Sequence, residues 1–152
     1  MTDLNPFQQA VKALALGKPD ANELARPLLV NETERFALYV TAVFVGIVER
    51  HFKDDHSPAA ITGFMEELRY AFRDANPPLK PLATEALIKA VWDENHPIDE
   101  ISSKDQHLSQ LSVIRMITHE SEEIRHDLDG YLSDAETLAQ AWINEIEEEN
   151  KI

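Results

Sequence analysis

The chain has no cysteine among its 152 residues. That excludes a disulfide framework, a thiolate metal site and a thiol nucleophile, and it fits a reducing compartment. Bases are also scarce, with 14 Lys and Arg against 28 Asp and Glu for a formal net charge of −14. Such a surface repels phosphate backbones and anionic lipid headgroups, so neither nucleic acid nor a membrane is an expected partner. The imbalance is concentrated in one half. Residues 1–76 hold 11 acids and 8 bases, whereas residues 77–152 hold 17 acids and 6 bases. An acidic surface of this kind resists aggregation and suits a basic partner or cations.

Several motifs of chemistry are missing as well. There is no Gly-rich phosphate loop, no Gly-x-Ser-x-Gly elbow and no His-Glu-x-x-His, since His119-Glu120 lacks the second histidine four residues on. A helix-turn-helix around Ala83 to Ile117 fails on its long connection and on the few bases of its second helix. The opening MTDLNPFQQAVKALALG has an amphipathic helix pattern and no basic leader, so a cytoplasmic location is expected.

Long apolar runs are limited to one, Phe36 to Val48, interrupted only by Thr41 and Gly46 and closed by Glu34-Arg35 and Glu49-Arg50. As a helix it is about 20 Å long at ~1.5 Å per residue, well short of the ~30 Å that crosses a bilayer. Its Val, Ile and Phe content favours a strand by propensity. However, no turn residue breaks Glu32 to Lys53, and nothing elsewhere offers a partner strand. A central helix over about residues 32–52 is therefore predicted, with its whole circumference covered by protein and Gly46 marking close helix packing.

The remaining elements are also helical. Asn5, Pro6 and Gly17 punctuate a first helix over Pro6–Leu16, and a short one over Ala21–Leu29 is weakened by Pro27. Ser57 and Pro58 open a helix whose apolar spacing runs from Ile61 to Ala75, and another covers Ala83 to about Trp92. A long helix is predicted from about Lys104 to Asp127. The last begins at Ser133, with Glu136 completing a capping box. Its acidic end, Glu145 to Glu149, opposes the helix dipole, so about residues 147–152 are expected to fray. The fold class is all-α: residues 1–152 form a single-domain helical bundle of about six or seven helices around the central apolar helix.

Two clusters carry potential chemistry. In Arg125 to Glu136, RHDLDGYLSDAE, the spacing resembles an EF-hand loop. With Gly130 in sixth place, Asp127, Asp129, Ser133 and Glu136 fall on ligand positions and Leu132 on the aliphatic one. Arg125 occupies the first ligand position and sets a cation against the ion. The same letters also read as Gly130 ending one helix while Ser133 and Glu136 cap the next. The second cluster is His119, Glu122, Glu123 and His126, which share one face if one helix carries them all. Glu123 and His126 have the Glu-x-x-His spacing of di-iron bundles, but the second such motif and the further glutamates are missing. Asp93 and His96 have the same offset only beside Pro97, and His51, His56 and His107 read as exposed.

No cofactor is predicted, a divalent metal at these clusters being the alternative. The expected function is a non-enzymatic interaction or regulatory module. Its acidic half or an apolar helix face, in a chain where Phe64, Phe72, Trp92 and Trp142 are more than a small bundle needs, docks a protein partner or a second copy to form a homodimer. The alternative is a metal- or small-ligand-binding bundle using the His119–His126 stripe or the Asp127–Glu136 loop.

Overall fold

The computed structural model describes residues 4–93 and 95–150, and all its regular structure is helical. Eight helices follow one another: α1 (Pro6–Leu16), α2 (Ala21–Asn31), α3 (Thr33–His51), α4 (Pro58–Ala71), α5 (Pro81–Ala90), α6 (Ser103–Glu120), α7 (Glu122–His126) and α8 (Leu128–Glu149). The start of α1 follows from local chemistry. The Asn5 side chain accepts from the Gln8 N–H, and the Gln8 side chain accepts from the Asn5 N–H, both at 2.9 Å. Gly17 ends the helix in the left-handed region at φ 67°, where a side chain would be strained.

The apolar run is the central helix, α3, packed chiefly between α8 and α6. Phe36, Val40, Ile47 and Val48 are wholly buried, and Tyr39 donates its hydroxyl to the Leu132 carbonyl of α8 at 2.8 Å. Leu68 from α4, Ile88 from α5 and Ile114 and Ile117 from α6 complete the core. The cover is not complete, contrary to the sequence expectation. Ala37 is exposed and Leu38, Thr41 and Val45 are half-buried, so one i, i+4 stripe of α3 reaches the surface. No helix among the described residues is long and apolar enough to cross a membrane.

Several expectations are corrected by the structure. The helix predicted to run to Asp127 breaks at Ser121 (φ −101°, ψ 107°), whose hydroxyl accepts from the Ile124 N–H at 3.2 Å and starts α7. Gly130 does not end a helix and Ser133 does not begin one, because α8 already starts at Leu128 and runs through both. Leu128, Leu132, Ala135 and Ala139 form one buried stripe, and its burial outweighs the ~1 kcal/mol that a helical glycine costs. The second helix continues through Pro27 to Asn31, since Pro27 is exposed while Ala21 and Ala25 bury the opposite face. His107 is half-buried, its ring 5.8 Å from that of Phe36. Towards the acidic end, α8 remains helical through Glu149, with the Asn150 N–H closing on the Ile146 carbonyl at 3.1 Å; residues 151–152 lie outside the described residues.

Candidate functional site

The two clusters singled out in the sequence are taken apart by the fold. His119 belongs to the last turn of α6, and Glu122, Glu123 and His126 to α7. The break at Ser121 turns these segments relative to each other, so the four side chains do not share one helix face. Glu123 forms an ion pair with Arg50 of α3, and Glu122 lies 3.4 Å from His126 on the surface. In the loop-like segment the carboxylates diverge. Asp127 stands before the first turn of α8 with its carboxylate folded towards Gly130. Asp129 pairs with Lys12 of α1 at 2.8 Å. Glu136 accepts from the side chains of Asn5 at 3.0 Å and Gln8 at 2.9 Å. Each acid is thus engaged with a different neighbour. Among the described residues no group of three or more His, Asp or Glu side chains stands close enough to hold one ion.

One histidine of the stripe, His119, does reach a cavity. A cleft of about 580 Å³ opens where three helices end. The last turn of α1 contributes Ala15 and Leu16, and the end of α4 contributes Ala71 and Phe72, followed by Asp74 and Ala75. The last turns of α6 supply Arg115, Met116, Thr118, His119 and Glu120, and Arg125 of α7 closes the edge. Its volume falls in the ~300–1,000 Å³ range of small-ligand sites.

Electrostatics follow from this construction. The last four carbonyls of an α-helix lack helical N–H partners, so each C-terminus carries roughly half a negative charge. Each of the three ends has an arginine beside it. Arg125 donates to the carbonyls of His119 at 2.7 Å and Thr118 at 3.4 Å. Arg73 donates to the Tyr70 carbonyl at 2.8 Å and lies 3.8 Å from the Asp74 carboxylate. The Arg115 guanidinium lies against Gly17, 2.9 Å from where a β-carbon would stand. Glu120, by contrast, is held above the usual carboxylate range by burial and by the nearby carboxylate of Glu67, with His119 acting in the opposite sense. Arg73, Arg115 and Arg125 balance Asp74, Glu120 and Glu67. Arg125 and Arg73 also occupy carbonyls of the α6 and α4 ends, so the charges gathered at the cleft largely offset one another.

Thr118 belongs to the wall of the cleft, with its hydroxyl closed off from solvent. It is fully buried, and its Oγ1 is the one buried side-chain polar atom without a hydrogen bond among the described residues. A buried hydroxyl with no partner costs about 1–3 kcal/mol. A second cleft of about 360 Å³ lies between α1, α2, α3 and α8, with Phe7, Leu28, Tyr39 and Ile143 in its walls. There Glu136 is held by Asn5 and Gln8 and Tyr39 by Leu132, and Glu32 and Arg35 also line the walls. The first cleft is the larger of the two. Sequence reasoning missed Thr118 and Arg115 altogether, met Phe72 only as an aromatic in excess of the core's needs, and met Arg125 only as a defect in the EF-hand spacing. No short-range pattern links them, because they meet only where separate helices terminate together.

No protein-family model matches the chain, no curated protein matches it, and no solved structure matches it.

Proposed function

We propose that this protein is a non-enzymatic helical interaction module that takes a basic protein partner on its acidic surface. The observation that carries this reading is the net charge of −14, with 17 acids against 6 bases in residues 77–152. An excess of acidic groups of this size draws a basic partner in from a distance. The reading is tested by fluorescence anisotropy with labelled Lys-rich and Glu-rich peptides of equal length. The Lys-rich peptide is expected to bind and to weaken steeply as salt is raised; equal binding of the two peptides overturns the proposal.

Self-association is a second reading with its own observation. Val30 is 72% exposed and Ile146 46% exposed, so the ends of α2 and α8 each present an uncovered aliphatic side chain. Light scattering that finds only monomer across the micromolar range removes it. For the metal-binding alternative, stoichiometric metal in the purified protein together with a lower Tm in EDTA would replace both readings.

A further inference from the structure

The open stripe of α3 is part of a larger surface. In helical register it runs Glu34, Leu38, Thr41, Val45 and Glu49, with Ala37 beside it. Ala37 and the two glutamates are exposed, and Leu38, Thr41 and Val45 are half-buried. Helix α8 continues this surface. One flank of α8 faces α1, where Asp129 meets Lys12 and Glu136 meets Asn5 and Gln8. The opposite flank carries Tyr131, Leu138 and Trp142, all half-buried, and Tyr131 is the residue that lies against Gly46 of α3. Two apolar stripes therefore run side by side, one on each helix, on the side of the bundle away from α1.

The rim of this face is acidic. Glu34 and Glu49 close the α3 stripe at its two ends, and Asp134 and Glu145 are exposed on the same flank of α8 as Leu138 and Trp142. None of these four carboxylates is paired with a base among the described residues. The base beside Tyr131, Arg50, is already paired with Glu123. We propose that the α3–α8 face docks an amphipathic helix of the basic partner, with apolar side chains along its middle and Lys or Arg on its flanks. The proposal rests on the interaction-module reading above and names the surface used and the kind of segment it takes.

Geometry and charge select this occupant. The face is made of helix sides, whose backbone groups are already bonded, so an extended segment would find no free edge to pair with. A helix satisfies its own backbone and needs only a row of side chains to lie against. From Glu34 to Glu49 the α3 stripe is about 22 Å long at ~1.5 Å per residue, which matches roughly four turns of a partner helix. Its acidic ends and flank then meet the bases of that helix, while Leu38, Val45, Leu138 and Trp142 meet its apolar row. A second copy of the chain fits less well. It would bring its own Glu34, Glu49, Asp134 and Glu145 to the same rim and set acid against acid.

The test uses the full chain and a labelled Leu/Lys peptide of about four helical turns, with Leu at i, i+3, i+4 and i+7. A scrambled peptide of the same composition and a Leu/Glu version are the controls. The Leu/Lys peptide is expected to become helical on binding and to shift the backbone amides of Ala37, Thr41, Val45 and Leu138 in NMR spectra. The scramble is expected to bind at least roughly tenfold more weakly. Ala37→Arg sets bulk and a like charge in the middle of the face. Because Ala37 is exposed, the variant is expected to keep the wild-type Tm while losing roughly tenfold in affinity. Neutralising Glu34, Glu49, Asp134 and Glu145 together, as Gln or Asn, is expected to weaken the peptide to a similar extent. Neutralising the exposed Asp20, Glu23, Glu66 and Glu67 on α4 and at α2 changes the net charge equally, and is expected to alter affinity by no more than about twofold near 0.15 M salt. Equal losses from the two charge sets, or equal binding of the scramble, overturn the face and leave the interaction module standing. Binding of the Leu/Glu peptide as tight as that of the Leu/Lys peptide, or no binding of either, overturns both proposals. A wild-type dimer that Ala37→Arg converts to monomer overturns the partner helix and gives the face to a second copy.

Discussion

Replacing Gly46 by alanine separates two accounts of how the central helix is packed. The sequence reading takes Gly46 as the mark of a close helix–helix approach, in which case an added methyl group is damaging. In the structure a β-carbon built on Gly46 meets only Cδ1 of Tyr131 in α8, at 4.0 Å, which is ordinary van der Waals contact. The backbone is helical and φ is not positive, so alanine is unstrained there. A helical Gly→Ala exchange then gains roughly 0.5–1 kcal/mol from propensity alone. A partly buried methyl adds a fraction of the ~0.8 kcal/mol of a fully buried one. The expected gain is about 1 kcal/mol, which raises Tm by about 2–4 °C in a chain of this size.

Two controls isolate the packing contribution. Gly63 of α4 is exposed with nothing within 4 Å of its would-be β-carbon, so Gly63→Ala reports propensity alone. Gly17 sits at φ 67° beside the Arg115 guanidinium, and Gly17→Ala is expected to destabilise. Urea unfolding of the three variants gives the comparison, with Gly46→Ala expected to equal or exceed Gly63→Ala. A Gly46→Ala variant less stable than wild type would refute the reasoning, because the α3–α8 approach would then have to be closer than 4.0 Å allows.

Two further effects follow from buried polar groups. Thr84 donates to the Lys80 carbonyl at 2.8 Å and stands 2.8 Å from the Ser109 hydroxyl, both side chains being buried. Thr84→Val leaves Ser109 without that partner and is expected to cost about 1–3 kcal/mol. Adding Ser109→Ala should recover part of the loss, and a double variant weaker than Thr84→Val contradicts the pairing. His107 is held below the ordinary histidine value of 6.5 by burial, so as pH falls below 6.5 the unfolded chain takes up a proton that the folded chain resists. Its contribution to stability is therefore complete above that pH and is lost on acidification. Acid also relieves the repulsion of the carboxylates, so the readout is the difference from His107→Phe: urea midpoints between pH 7.5 and 5.5 should fall more for wild type than for the variant, and equal slopes refute it.

Much of the fold was legible because helix starts and stops are local events. The Asn5 cap, Pro6, Gly17, Ser57 and Pro58 act over three or four residues of chain, and α1 and the start of α4 lie where those residues place them. Misreadings arose where two local signals compete and burial decides. By local spacing Ser121 suits a helix interior yet caps α7, while Ser133 suits a cap yet lies inside α8, because the Leu128–Leu132–Ala135–Ala139 stripe holds α8 against the core. The same shift separated the His119–His126 residues, whose spacing has meaning only within one uninterrupted helix.

By itself the sequence determined the all-α class, the central position of Phe36–Val48 and the net negative charge, since these follow from hydrophobic periodicity, run length and composition. Only the tertiary structure decided which charges stand alone and which are paired. It drew Asp129 to Lys12, Glu123 to Arg50 and Glu136 to Asn5 and Gln8. It also brought the ends of α1, α4 and α6 together around Thr118. Such pairings depend on which helices packing sets side by side, and no short stretch of sequence specifies that.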